Sequence, residues 1–182
     1  MTRILIKFAL LKQHLITRYE RSLQIQPVKQ PSKYTCWATC YKMVGDWDQQ
    51  GRSFCSYVHL QTENCGNCET PEDACDRRRP IGLVTQDWKS LGFKKTQHFE
   101  KRLTLAEIRD AIRNKRPVQA FVVFPGKKDN DGHLLMITGT SRTRQADTSL
   151  LIADPSEKKI AEFEYSQFLE WADWKQTWVV EK

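Results

Sequence analysis

The hydrophobic positions of this chain change period at Pro117. Before it, apolar residues recur three and four apart; after it, they alternate or form short unbroken runs. The first spacing marks helices buried on one face, and the second marks strands. Trp37, Cys40, Tyr41, Val44 and Trp47 predict a buried helix over 36–47 that opens at Cys36. Leu83, Val84, Trp88 and Leu91 predict another, with Gly92 as its terminator. A further helix starts at "TLAE", where Thr104 and Glu107 have the spacing of a capping box and Leu105, Ile108, Ala111 and Ile112 line one face.

Beyond Pro117 the segments VQAFVVF, HLLMITGT, SLLIAD, KIAEFEY and TWVVE predict strands, with SQFLEWA as a short helix between the last two. Helices first and strands later predict an α+β domain, its N-terminal helices packed on a C-terminal antiparallel β-sheet. Two stretches fit neither period. SLQIQPVKQ alternates but contains Pro27, which suits an edge strand or extended arm. Residues 48–80 are polar, rich in Gly, Asn, Asp and Cys, and predict an excursion held by something other than a core.

At the N-terminus, Ile4, Phe8, Leu11 and Leu15 predict a basic amphipathic helix over 1–25, ahead of a domain over 26–182. Such a helix packs on the body or docks a partner. Lys7 splits its apolar run and no small-residue cleavage site follows, so it is not read as a secretory signal. No run is long enough to span a membrane. The chain is expected to be cytoplasmic as encoded, with export or delivery to a target cell by a non-Sec route as the alternative.

Charge narrows the picture little. The 182 residues carry 29 Lys and Arg against 22 Asp and Glu, a net charge of +7 that favours acidic partners. The cations are scattered, with the densest run at Arg77, Arg78 and Arg79. A nucleic-acid binder would show a basic stripe interleaved with exposed aromatics, so no nucleic-acid partner is expected.

Candidate chemistry begins at KQPSKYTCWATC, residues 29–40. A cysteine in the first turn of a helix lies in the field of the helix dipole, near unpaired backbone N–H groups that favour a thiolate. Cys36 has that position; Cys40, one turn further in, suits burial as a small apolar group. Cysteines alone are more often core than chemistry. His133 opens an apolar strand and Asp154 closes another, and the midpoint between them falls in the turn-like SRTRQADT. In a simple hairpin the two face each other, close enough for Asp154 to orient the imidazole. Cys36, His133 and Asp154 then supply the nucleophile, base and orienter of a triad. His14, His59 and His98 lack such a carboxylate and are set aside.

These residues resemble the papain-like cysteine peptidases, in particular a small bacterial branch that includes effector-type proteases and double-glycine leader peptidase domains. The likeness covers about residues 26–180 and rests on Gln30 followed by Cys36-Trp37-Ala38, on Gly132-His133 and on Asp154-Pro155, in that order. It implies a papain-like fold with the active site between helices and sheet. It also implies that Cys36 is the nucleophile and that Gln30 helps the Cys36 N–H form an oxyanion hole. SKYT stands in place of papain's glycine-rich run, and aspartate in place of its asparagine. Cys36 and His133 lie 97 positions apart, fewer than in papain. These departures point to the compact branch and leave substrate preference open.

Cys55, Cys65, Cys68 and Cys75 fall in the polar excursion. Two disulfides are one reading; a structural zinc, with Cys65 and Cys68 as a proper ligand pair, is the lesser alternative, and unpaired thiols are the third. The resemblance implies a clasp rather than a catalytic feature. No cofactor is otherwise expected. The function expected is peptide-bond hydrolysis by a thiol hydrolase, as a bacterial effector or toxin protease. Its expected partners are a protein or peptide substrate and an inhibitor or immunity protein. The rivals are a leader peptidase that cleaves after a double glycine and a non-catalytic zinc-stabilised binding module.

Overall fold

A computed structural model describes residues 19–60, 68, 75–128, 131–142 and 149–182. Five helices are described: α1 (Cys36–Trp47), α2 (Phe54–Val58), α3 (Val84–Ser90), α4 (Leu105–Arg113) and α5 (Tyr165–Trp171). The strands are β1 (Tyr19–Ser22), β2 (Gln97–Phe99), β3 (Val118–Val123), β4 (His133–Arg142), β5 (Ser149–Ala153), β6 (Ile160–Glu164) and β7 (Asp173–Val179). They form one antiparallel sheet in the order β2-β7-β3-β4-β5-β6, with β1 added beside the C-terminal half of β4. The domain is α+β, as the two periods predict.

The helix expected over 1–25 does not reach its C-terminal end, because Tyr19–Ser22 pair with Gly139–Arg142 as a strand. The sheet thus begins before residue 26. Residues 1–18, which carry the rest of that expectation, lie outside the described residues, as does Cys65. Strand β2 and helix α2 are too short for either period to announce.

Helix α1 packs on β4 and also on α2. Its buried face forms a run of edge-on aromatic contacts, Trp37 to Tyr41 at 5.8 Å, Tyr41 to Trp88 at 4.6 Å and Trp88 to Phe93 at 5.4 Å between ring centroids. Edge-to-face rings add to the area they bury. The indoles also find polar partners: Trp88 Nε1 donates to Gln119 Oε1 at 2.8 Å, and Trp178 Nε1 to Thr85 Oγ1 at 2.9 Å. These two bonds tie α3 and its first turn to the sheet. Gly45 sits in α1, where a β-carbon would lie 1.8 Å from the Tyr57 hydroxyl. Its loss of helix propensity is offset by the close approach of α2.

Candidate active site

A cleft of about 960 Å³ lies between the start of α1 and the sheet, and Gln30, Cys36, His133 and Asp154 all line it. Cys36 is the first residue of α1, where the unpaired N–H groups of a helix end are gathered. Thr35 precedes it without capping the helix through its side chain; its hydroxyl is held by the Ser32 carbonyl at 3.1 Å. Cys36 is partly exposed while Cys40 is fully buried. Burial, with the Cys36 charge nearby, pushes the Cys40 thiol well above its ordinary range. Of the pair, the sequence's preferred sulfur faces the cleft.

His133 enters from the first position of β4. Gly132 before it is required by packing: a β-carbon there would lie 2.2 Å from the Phe121 ring and 2.7 Å from the Val122 carbonyl oxygen. The "GH" pair is therefore a close approach of β4 to β3, with the histidine at the point where the strands converge. Asp154 follows the last residue of β5. Its Oδ1 lies 2.7 Å from His133 Nε2 and also accepts the Ser156 N–H at 2.8 Å.

Direct opposition of His133 and Asp154 is not the register found. Met136 faces Ala153 and Ile137 faces Ile152, so one further step sets Asp154 beside Leu135. The ladder also shifts between Ile137 and Gly139. The extra residue in β4 brings Asp154 one position nearer to His133 than the pairing of Ser141 with Ser149 would set it, and no spacing in the sequence marks it. Because His133 is two positions from Leu135, it keeps the same face as Asp154, at a diagonal spacing that long side chains bridge.

Burial of His133 works against its charged form. The hydrogen bond to Asp154 and the nearness of Cys36, with the charges of both, outweigh that cost and raise its pKa from 6.5 to about 10. Burial likewise opposes the Asp154 carboxylate, but the His133 hydrogen bond and charge and the Ser156 N–H hold it below the ordinary value. The two shifts agree in sign: each partner favours the charged form of the other.

Gln30 is brought to the same place by its backbone, whose N–H donates to the Pro155 carbonyl at 2.6 Å, beside Asp154. Its side-chain Nε2 donates to the Ser32 and Lys33 carbonyls at 2.6 and 3.0 Å, and its Oε1 is buried without a hydrogen-bond partner. With both amide hydrogens so engaged, donation to an oxyanion needs Gln30 to release one carbonyl.

Four consecutive residues that periodicity could not single out form one wall. Asp76 accepts the Tyr34 N–H at 2.6 Å, and the Arg77 carbonyl accepts Trp37 Nε1 at 2.9 Å. The Arg78 guanidinium lies over the Tyr34 ring. Arg79 lies over Trp37 and makes a two-pronged ion pair with Asp87, whose Oδ2 also accepts the Tyr41 hydroxyl at 2.9 Å. Of the basic run, Arg79 is thus spent on positioning the first turns of α1, Arg77 serves them by its carbonyl, and Arg78 stacks at the rim. The run's signal in the sequence was charge density, which does not name a partner.

Elsewhere, Cys55 and Cys68 form a disulfide, with their Cα atoms 5.2 Å apart, and His59 Nε2 lies 3.7 Å from Cys68 Sγ. Cys75 is buried. Among the described residues no group of three or more His, Cys, Asp or Glu is arranged to hold a metal, and no helix is long and apolar enough to cross a membrane. His98, set aside on sequence, stacks on Trp178 and meets Gln176 Oε1 at 3.0 Å.

A search of curated proteins finds no match to the chain. The family model described as papain-like cysteine protease AvrRpt2 matches residues 16–173, which span Gln30, Cys36, His133 and Asp154. With that match over most of its length, on a papain-like α+β fold, the chain belongs to the AvrRpt2 family of papain-like cysteine proteases.

Proposed function

We propose that peptide bonds are hydrolysed here through Cys36, His133 and Asp154. The observation that carries this reading is an imidazole hydrogen-bonded to an aspartate and lining one open cleft with the partly exposed cysteine that starts α1. His133 gives Nε2 to Asp154, which leaves Nδ1 for the sulfur. A raised His133 pKa keeps the ring protonated at neutral pH, so the proton that a leaving amine needs is in place.

The Cys36 thiolate attacks the carbonyl carbon of the scissile amide, and the carbonyl electron pair moves to oxygen. The N–H groups at the start of α1, with Gln30 once it releases a carbonyl, stabilise that oxyanion. His133 then gives its proton to the leaving amine as the C–N bond breaks, and a thioester remains on Cys36. Neutral His133 next takes a proton from water, whose oxygen attacks the thioester and releases the carboxylic acid.

The substrate is a protein or peptide, and we read the chain as an effector protease that acts outside the cell that makes it. The disulfide supports this, since such bonds persist where thiols are not kept reduced. The decisive experiment compares the wild type with Cys36→Ala on a fluorogenic peptide library, alongside iodoacetamide labelling at neutral pH. Cys36-dependent cleavage and fast labelling of one thiol at Cys36 are expected. Equal processing by both proteins, or labelling no faster at Cys36 than at Cys40, overturns the reading.

A further inference from the structure

Two cations and one carboxylate meet at the rim of the cleft. Lys33 Nζ lies 4.9 Å, and the Arg78 guanidinium carbon 4.7 Å, from the centre of the Tyr34 ring. Arg78 Nη2 is paired with Asp131 Oδ1 at 2.8 Å. Tyr34 stands two residues before Cys36, and Asp131 two residues before His133. The ion pair therefore joins the wall that leads into the nucleophile to the loop that leads into the acid, and all four residues line the cleft.

The other charges in the cleft have partners. Arg79 is committed to Asp87, Asp154 to His133, and Lys175 Nζ lies 2.6 Å from Asp173 Oδ2. Among the described residues that line the cleft, Lys33, Arg78 and Lys127 then stand with Asp131, a local excess of positive charge beside low-dielectric aromatic walls. Such walls focus a field on whatever enters the groove. The Arg78 and Asp131 side chains are 47% and 39% exposed, so their ion pair is of the weak, exchangeable kind. Arg78 can exchange one carboxylate for another while it stays stacked on Tyr34, and Lys33 on the same ring adds a second cation to the incoming group.

We propose that Lys33 and Arg78 receive an acidic side chain of the substrate, which replaces Asp131 as the partner of Arg78. The protease then prefers peptides with Asp or Glu near the scissile bond. This rests on the peptidase reading above, and it names the class of substrate that reading leaves open.

The test is a set of peptides in which each position around one cleavage site carries Glu or its neutral isostere Gln, with cleavage confirmed as Cys36-dependent. The readout is the Glu to Gln ratio of kcat/KM for each protein, which cancels differences in the folded fraction. The wild type should prefer Glu at one position by about two- to fivefold, and less in about 0.5 M salt. At that position Asp131→Asn should raise the ratio, and Arg78→Gln and Lys33→Gln should lower it towards one. Cys36-dependent cleavage with a ratio near one at every position overturns the proposal alone. So does a preference for Glu that survives Arg78→Gln and Lys33→Gln together. Absence of any Cys36-dependent cleavage overturns the peptidase reading, and this proposal with it.

Discussion

His133 Nε2 and Asp154 Oδ1 lie 2.7 Å apart although the strands that carry them do not place the two residues opposite each other. The contact is made along a diagonal of the sheet and is fixed by the Asp154 turn, where the same Oδ1 takes the Ser156 N–H. An orienting carboxylate held from two sides has little freedom to leave the imidazole. Asp154→Asn should therefore lower kcat/KM by about 10²-fold or more, in the range by which positioned acid–base groups contribute. NMR titration should show the His133 pKa falling from about 10 towards its ordinary 6.5. An unchanged His133 titration would show that Asp154 plays no part in it.

The same pair sets a pH window. His133 is raised from 6.5 to about 10, so its contribution to stability is full below 6.5 and is lost as pH rises through about 10. Asp154 is lowered from 3.8, so its contribution is full above 3.8 and is lost as pH falls through its folded value. Urea denaturation should show stability declining between pH 7 and about 10.5, and His133→Gln should flatten that slope. In the proposed mechanism activity should fall over the same alkaline range, because that mechanism draws the leaving amine's proton from the His133 imidazolium. A flat wild-type stability curve between these limits contradicts the assignment.

Asp87 should be costly to remove. It is 3% exposed and holds both Arg79 and Tyr41. Deleting one partner of a buried ion pair strands the other, at a cost of about 3–5 kcal/mol. Asp87→Ala should lose stability in that range, and Tyr41→Phe only about 1 kcal/mol. A loss below 1 kcal/mol for Asp87→Ala would mean that the wall over α1 does not depend on this pair.

Gly132→Ala tests whether the close approach of β4 to β3 positions the histidine. The new methyl group meets the Phe121 ring and the Val122 carbonyl, so the start of β4 must shift. A displacement of about 1 Å at a catalytic group can cost about 10²-fold in rate. Shortening Phe121 to Leu in the same chain should not restore the rate, because the backbone carbonyl remains. Wild-type kcat in the single variant would show that the strand start tolerates the methyl group.

The Cys55–Cys68 disulfide closes a short loop, their sequence separation being 13 residues. Loop-closure arguments give such a bond about 3 kcal/mol of stabilisation. Cys55→Ser should lower stability by roughly that amount in oxidising buffer, and the difference should vanish in dithiothreitol. Stoichiometric zinc in the purified wild type, with unfolding by a chelator, would replace the disulfide account with a metal one.

The sequence by itself determined what is local. Helix α1 begins at Cys36 as its apolar spacing predicts, the Thr104–Glu107 capping box forms, and the alternating runs after Pro117 become strands. It also determined which groups are worth watching, since Gln30, Cys36, His133 and Asp154 all reach one cleft. Only the tertiary structure decided how they meet. The β4–β5 register, with its shift between Ile137 and Gly139, set Asp154 beside Leu135 and not beside His133, and the docking of Gln30 on Pro155 and of residues 76–79 over α1 came from contacts between segments with no period of their own. Period and capping depend on neighbours a few residues away and can be read along the chain. Register, ion pairs and the walls of a cleft depend on groups tens of residues apart, whose meeting is settled by packing.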